Sequence, residues 1–320
     1  MKNILFVTTQ YRVGERIYPI IPELAKDYNL DLMKLYQMDP KHPWYGNDDV
    51  RVYFDREYLH NFDNIYTNIN IDYSNYDLII ADDNRPYNGL PEIYRNRLCL
   101  MLACSHGVTE HGYETSGKDN TFDGCFVFGR KEVKFDYQIP AGIPANDKLY
   151  KYKDIEKKHI LVIVNYLGNA GNISTGNGTF FKLFDKEVFD GMNLLSLQKQ
   201  SGYPVVIKMK ARPDTNIEKD KQYLTSILPD ELDYNVLYDV EDDNKLIGES
   251  VEVYSAPSTL ALKPIQLQIP TTLIPGTGQS GVVFDDYDTN DNFIEDTIQG
   301  GKSFNSTKYF INYVEQCLNG

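Results

Sequence analysis

The sequence predicts an α/β protein of two successive domains, each built around a parallel sheet. Three observations carry this. Short apolar runs rich in β-branched residues alternate with segments of helical spacing, the pattern of βαβ units. The alternation begins afresh at His159, where HILVIV follows a proline-bearing, lysine-rich stretch. A chain of 320 residues is long enough for two ordinary α/β domains.

In chain order, Asn3–Thr9 reads as a strand and Tyr11–Arg16 as a loop. Ile17–Asp27 has helical spacing of Ile17, Ile20, Ile21, Leu24 and Ala25, with Pro19 and Pro22 suited only to its first turn. Leu30–Tyr36 returns to a strand, and Asp39–Trp44 opens a turn-rich insertion. Arg51–Asn61 is expected to be helical. Asp77–Ala81 is a strand that ends in Asp82-Asp83-Asn84. Leu98–Cys104 is another, followed by a loop with His106, and Gly124–Phe128 is a further strand. Ile139–Leu149 has two prolines at a turn. Lys148–Lys158 carries five lysines and reads as the linker.

The second half repeats the logic. After strand His159–Val164 come a Gly/Asn-rich loop (Gly168–Gly178), a long helix (Phe180–Gln200) and strand Pro204–Met209. Helix Lys219–Leu228, strand Tyr234–Leu237, short helix Asn244–Gly248 and strand Val251–Tyr254 follow. Helix Ser258–Ile265 and strand Thr271–Ile274 come next. Lys308–Leu318 closes the chain as an amphipathic helix, with Phe310, Tyr313, Val314 and Cys317 on one side. The domains are therefore 1–150 and 159–305, with a last helix in 306–320 that can cross back to the first.

Composition excludes several classes. A charged fraction of 24% and a hydrophobic fraction of 42% belong to a globular chain and leave little room for long disorder. No apolar stretch reaches the length of a membrane span. Met1-Lys2-Asn3 runs directly into ILFVTT with no apolar signal region, so a cytoplasmic location is expected. Four cysteines (Cys99, Cys104, Cys125, Cys317) without CxxC spacing read as reduced, buried thiols. No metal site and no cofactor are expected. A formal net charge of −14 argues against a broad nucleic-acid footprint and leaves room for a local basic cleft.

The candidate site residues fall at predicted strand carboxyl ends, where open α/β sheets bind ligands. His106 follows LCLMLAC after one residue. Imidazole suits proton transfer near neutral pH, and Gly107 lets backbone or substrate come close. Glu110 and His111 lie near enough to orient His106 or hold acceptor hydroxyls. Asp82 and Asp83 read as carboxylates of the same region or as helix caps. Arg12 and Gly14 lie in the loop after the first strand. In the second domain Lys208, Lys210 and Arg212 put three cations within five residues, which suits a diphosphate and also a solvated basic turn. Ser258 or Thr259 can cap a helix whose N-terminus could hold phosphate. Gly276, Gly278 and Gln279 lie in PGTGQSG, where backbone amides could approach a ligand. The Asn165–Gly178 loop is neither a Walker motif nor GxGxxG. HExxH and GxSxG are also missing from the sequence. His42, His60 and His159 read as surface or packing residues.

The order of these segments resembles the GT-B glycosyltransferases, more narrowly the CDP-glycerol glycerophosphotransferase and UDP-GlcNAc 2-epimerase-like branch. LACSHG (Leu102–Gly107) matches its strand ending in His-Gly. GIPANDKL (Gly142–Leu149) matches a G-x-P-x-x-D-x-L segment leading into the second domain. VVIKMKARP (Val205–Pro213) matches a strand end in which Lys210 or Arg212 replaces the usual histidine. STLALKPIQLQIP (Ser258–Pro270) matches in outline and lacks the acidic residue of the donor-ribose helix. The resemblance spans roughly Leu98 to Gly281. It implies two Rossmann-like domains facing a central cleft. It also implies a metal-independent transferase that moves a group from a nucleotide-sugar or CDP-polyol donor to a hydroxyl of a glycan or polyol. A modified base in DNA, as for phage enzymes, is an alternative acceptor. A UDP-sugar 2-epimerase and a non-catalytic nucleotide-sugar-binding protein are the competing readings.

Overall fold

The computed structural model describes residues 1–8, 17–35, 58–82, 90–104, 122–127, 136–170, 182–209, 216–238, 240, 242–256, 258–274, 276–277 and 305–320. The chain divides into two compact units. One holds Met1–Asp147 and a C-terminal segment from Glu295, the other Lys148–Ile294.

The first unit carries seven strands: β1 (Asn3–Thr8), β2 (Asn29–Lys34), β3 (Asn64–Tyr66), β4 (Leu78–Ala81), β5 (Leu100–Cys104), β6 (Gly124–Val127) and β7 (Gln138–Pro140). They form one sheet in the order β3-β2-β1-β4-β5-β6-β7, with every pairing parallel. Near-continuous burial, as in LIIA of β4, follows from a parallel sheet covered on both faces. Ile4, Phe6, Leu32, Leu78, Ile80 and Leu102 build one core and Leu5, Val7, Met33, Ile79, Met101 and Ala103 the other.

The expected helix over 17–27 shortens to a 3-10 turn, Tyr18–Ile20, and a single α-turn, α1 (Ile21–Leu24). Pro19 and Pro22 each stand in the first turn of their piece, where proline's missing N–H is tolerated, and Pro22 cannot donate to continue the turn before it. Of the helix expected over 51–61, residues 51–57 lie outside the described residues, and Leu59–Asn61 is a 3-10 turn. The helix α2 (Leu90–Asn96) and strands β3 and β7 were not expected from the sequence.

The second unit carries β8 (His159–Val164), β9 (Val205–Met209), β10 (Tyr234–Leu237), β11 (Ser250–Ser255) and β12 (Thr271–Leu273). They are parallel and ordered β10-β9-β8-β11-β12. The long helix expected over 180–200 is two helices, α3 (Lys186–Met192) and α4 (Leu194–Ser201). They meet at Asn193, whose φ of 53° is left-handed, a conformation asparagine tolerates better than most residues. Asp185 caps α3 by accepting from Val188 N at 3.0 Å, which fixes its start. The remaining helices are α5 (Ile217–Ile227), α6 (Asp243–Gly248) and α7 (Leu262–Gln266).

Three of the five linker lysines are bound locally. Lys157 Nζ donates to Gly248 O at 2.7 Å, Lys158 pairs with Glu249 at 2.6 Å, and Lys151 lies over the Tyr152 ring. The last helix, α8 (Ser306–Asn319), belongs to the first unit. Its Phe310, Val314 and Leu318 are buried in that core, and Phe310 stacks on Phe126 with centroids 3.7 Å apart. Asp147, the acid of GIPANDKL, accepts from Ser306 N at 2.9 Å and Thr307 N at 2.7 Å. Lys2 Nζ donates to Leu318 O at the other end. Both ends of the helix thus meet charges that complement its dipole.

Candidate functional site

A parallel sheet whose strand order reverses leaves a place for ligands beyond the carboxyl ends of the two strands flanking the reversal. In the first unit those strands are β1 and β4. β1 ends at Thr8, whose register partner on β2 is Lys34, and Asp82 follows β4 at the next position. Cys104 ends β5, one step on from the Ala81–Ala103 pair, and is in register with Phe126. Lys34, Thr8, Asp82 and Cys104 therefore form one row along the carboxyl edge, and all four are buried. Thr8 Oγ1 donates to Asp82 Oδ2 at 2.7 Å, and Tyr18 OH lies 3.5 Å from Thr8 Oγ1. The Asp82 backbone N–H donates to Val7 O at 3.0 Å, which fixes its place beside β1.

In the second unit the reversal lies between β8 and β11. Lys208, near the end of β9, pairs with Asp243 at 3.3 Å, and its side chain is 12% exposed. Its charge is met within the unit by the first residue of α6. The loops after β8 and β12 are tied together, since Lys182 N donates to Gly276 O at 2.9 Å. Gly276 has φ +74°, which explains glycine there. Thr277, buried beside it, donates its hydroxyl to Ile274 O at 2.6 Å. Gly168 has a different reason to be glycine: a Cβ there would stand 2.1 Å from Tyr223 OH. Burial, and then Asp185, push the Tyr223 phenol up from its ordinary value. Asn169 Nδ2 donates to Asp220 Oδ1 at 3.2 Å, and Tyr238 OH donates to Asp220 Oδ2 at 3.4 Å.

Ser258 opens a 3-10 turn (Thr259–Ala261). The α-helix proper, α7, has Ala261 as its N-cap, without a side-chain capping bond. The helix expected from Ser258 thus begins as this 3-10 turn and becomes α-helical at Leu262. The tighter turn moves the α-helix start past both Ser258 and Thr259.

Of the residues singled out from sequence, Asp82, Lys208, Ser258, Thr259 and Gly276 are among the described residues. Asp82 lies in the first unit and the other four in the second. Arg12, Gly14, Asp83, His106, Gly107, Glu110, His111, Lys210, Arg212, Gly278 and Gln279 lie outside the described residues. Sequence reasoning missed Thr8, Tyr18 and Lys34. The available signal was a threonine after the apolar run ILFV and a lysine after Leu32-Met33. His159, read as surface or packing, is a buried packing residue at the amino end of β8. Its Nε2 lies 3.0 Å from Leu246 O and 3.2 Å from Ser250 Oγ, and burial lowers its proton affinity. A carbonyl only accepts, so Nε2 carries the proton. Among the described residues, no three His, Cys, Asp or Glu side chains are grouped to hold a metal ion, and no helix is long and apolar enough to cross a membrane.

No protein-family model and no curated protein matches this chain. Solved structures do. A candidate UDP-N-acetylglucosamine 2-epimerase from Listeria monocytogenes superposes with a TM-score of 0.59 at 8% identity, covering 99% of this chain and 96% of the other. The UDP-GlcNAc 2-epimerase from Neisseria meningitidis, bound to UDP-GlcNAc, gives 0.55 at 11% identity, covering 99% and 100%. The wall teichoic acid polymerase TagF, in a structure soaked with CDPG, gives 0.53 at 11% identity, covering 99% and 88%. These are proteins of the GT-B fold, and this chain has that fold. At such identities the likeness speaks to architecture and leaves activity to the site.

Proposed function

We propose that the protein is an enzyme that moves a group from a nucleotide-activated donor to an acceptor hydroxyl, without a metal, and that the acceptor is a glycan or polyol. The observation that carries this is the whole-chain likeness to GT-B proteins with nucleotide-linked ligands, UDP-GlcNAc in one and CDPG in another. The motif order of LACSHG and GIPANDKL agrees with it. In this reading His106 takes the acceptor proton, with Asp82 and Glu110 as the carboxylates of the same strand-end group. Arg12, Gly14, Gly107 and His111 belong to the acceptor side. The donor diphosphate is held by cations and backbone amides after β9, β11 and β12: Lys210, Arg212, Ser258, Thr259, Gly276, Gly278 and Gln279. Lys208 belongs to that group through its position, and Asp243 shares its charge.

Epimerisation of a UDP-sugar is the second reading. It is suggested by the UDP-GlcNAc 2-epimerases among the similar structures, whose TM-scores of 0.52 to 0.59 overlap the 0.53 of TagF. Acceptor dependence separates the two. A thermal-shift panel of UDP-, GDP-, CDP- and TDP-linked donors identifies the donor, and His106→Ala then tests the mechanism. Turnover is expected to fall roughly 100- to 10,000-fold with donor affinity nearly intact. Near-normal turnover in a folded His106→Ala protein would remove His106 from the role of base.

A further inference from the structure

The bond between Thr8 and Asp82 is not what pairs their strands. β1 is already paired through its backbone to β2 on one side and β4 on the other. The same face carries Ile4 and Phe6 on β1 and Leu78 and Ile80 on β4, all apolar and packed in one core. Two further apolar residues would continue that row. Instead the row ends in a hydroxyl bonded at 2.7 Å to a carboxylate, both with 0% exposure. Burying a carboxylate costs several kcal/mol unless it is well hydrogen-bonded, and packed apolar residues often serve stability as well or better. A polar pair kept in such a place, at the reversal of the strand order, points to chemistry.

We propose that Thr8 is a positioning residue for Asp82: its hydroxyl sets the direction of the carboxylate and favours its anionic form. Tyr18 OH, 3.5 Å from Thr8 Oγ1, limits the directions the threonine hydroxyl can take. Other ionisable groups packed around this end of the row, among the described residues, are Lys34 on β2, Cys104 on β5 and Tyr58 against Tyr18. Tyr309, Tyr313 and Cys317 of α8 pack on the same core. The inference rests on the reading that Asp82 belongs to the catalytic group.

The test is the pH dependence of kcat/KM for wild type, Thr8→Val, Thr8→Cys and Thr8→Ser, using whichever donor of the UDP-, GDP-, CDP- and TDP-linked panel is turned over. Valine keeps the shape and removes the donor to the carboxylate. A lost hydrogen bond to a charged acceptor moves the acid limb of the profile up by about one pH unit. Thr8→Val is expected to show that shift, with kcat about tenfold lower and donor KM within about twofold. Thr8→Cys should lie between valine and threonine, and Thr8→Ser should restore the profile. Should Thr8→Val fail to fold, the cysteine and serine variants carry the same comparison. An unmoved acid limb in Thr8→Val or Thr8→Cys, beside an active wild type and an inactive Asp82→Asn, overturns this inference alone. A wild type that turns over no donor overturns the functional reading and this inference with it.

Discussion

Replacing Asp147 should loosen the last helix from its first turn. Asn305 stands at the N-cap position of α8 and makes no side-chain capping bond. The cap comes from Asp147, far away in sequence, whose two oxygens take the amides of Ser306 and Thr307 at 2.9 and 2.7 Å. Losing a capping side chain costs about 1 kcal/mol, and losing an acid at a helix N-terminus adds about 0.3–1 kcal/mol. Asp147→Ala should therefore cost about 2 kcal/mol. Asp147→Asn keeps one acceptor and loses the charge, so it should cost about half as much. Hydrogen exchange is the assay, because a chain of two units need not unfold in one step. Amides from Ser306 to Phe310 should exchange about 30-fold faster in Asp147→Ala, the rate equivalent of about 2 kcal/mol. Unchanged exchange in both variants would refute the reasoning and leave the acid of GIPANDKL without a structural role.

Three further outcomes are expected. His159 is held neutral by burial, so the unfolded chain takes up its proton first as pH falls below about 6.5. Stability is then full above that pH and declines below it by up to about 1.4 kcal/mol per unit. Urea midpoints from pH 5 to 8 should lose this component in His159→Gln, and parallel curves would contradict it. Gly248→Ala puts a methyl 2.7 Å from Tyr152 Cβ and 2.9 Å from its carbonyl oxygen. It should cost about 1–3 kcal/mol, whereas Gly191→Ala in α3, with nothing within 4 Å, should be neutral or stabilising in the same denaturation assay. Arg212→Glu should weaken nucleotide binding about tenfold or more by calorimetry. Lys208→Glu should also lower stability, since it sets a second carboxylate beside Asp243.

What could be read from the sequence follows from length and periodicity. β8 and β9 stood out because a parallel strand covered on both faces needs a continuous apolar run, which HILVIV and VVIKM approach. β3 and β7 have three residues each, too few for any period, and β3 lies exposed at the sheet edge. The break at Asn193 was hidden because α3 and α4 both carry helical composition and a single left-handed residue separates them. Asp82 was visible as an acid after an apolar run. Thr8 looked like an ordinary β-branched strand residue, and only the pairing of β1 with β4 brings it to the carboxylate. The G-x-P-x-x-D-x-L segment was recognisable as a motif, yet its acid binds a helix that begins more than 150 residues later. No local rule of sequence reports such a contact.

Under the proposed function, a nucleotide-activated donor is consumed only when an acceptor hydroxyl is present. Phosphorus NMR of the protein with the donor identified by thermal shift, followed with and without polyol and glycan acceptors, tests it most directly. Acceptor-dependent release of nucleotide, undiminished by a metal chelator, is the result expected here. Conversion of the donor to an isomeric nucleotide sugar without any acceptor would assign the epimerase reading instead, and binding with an unchanged spectrum over many hours would contradict an enzyme altogether.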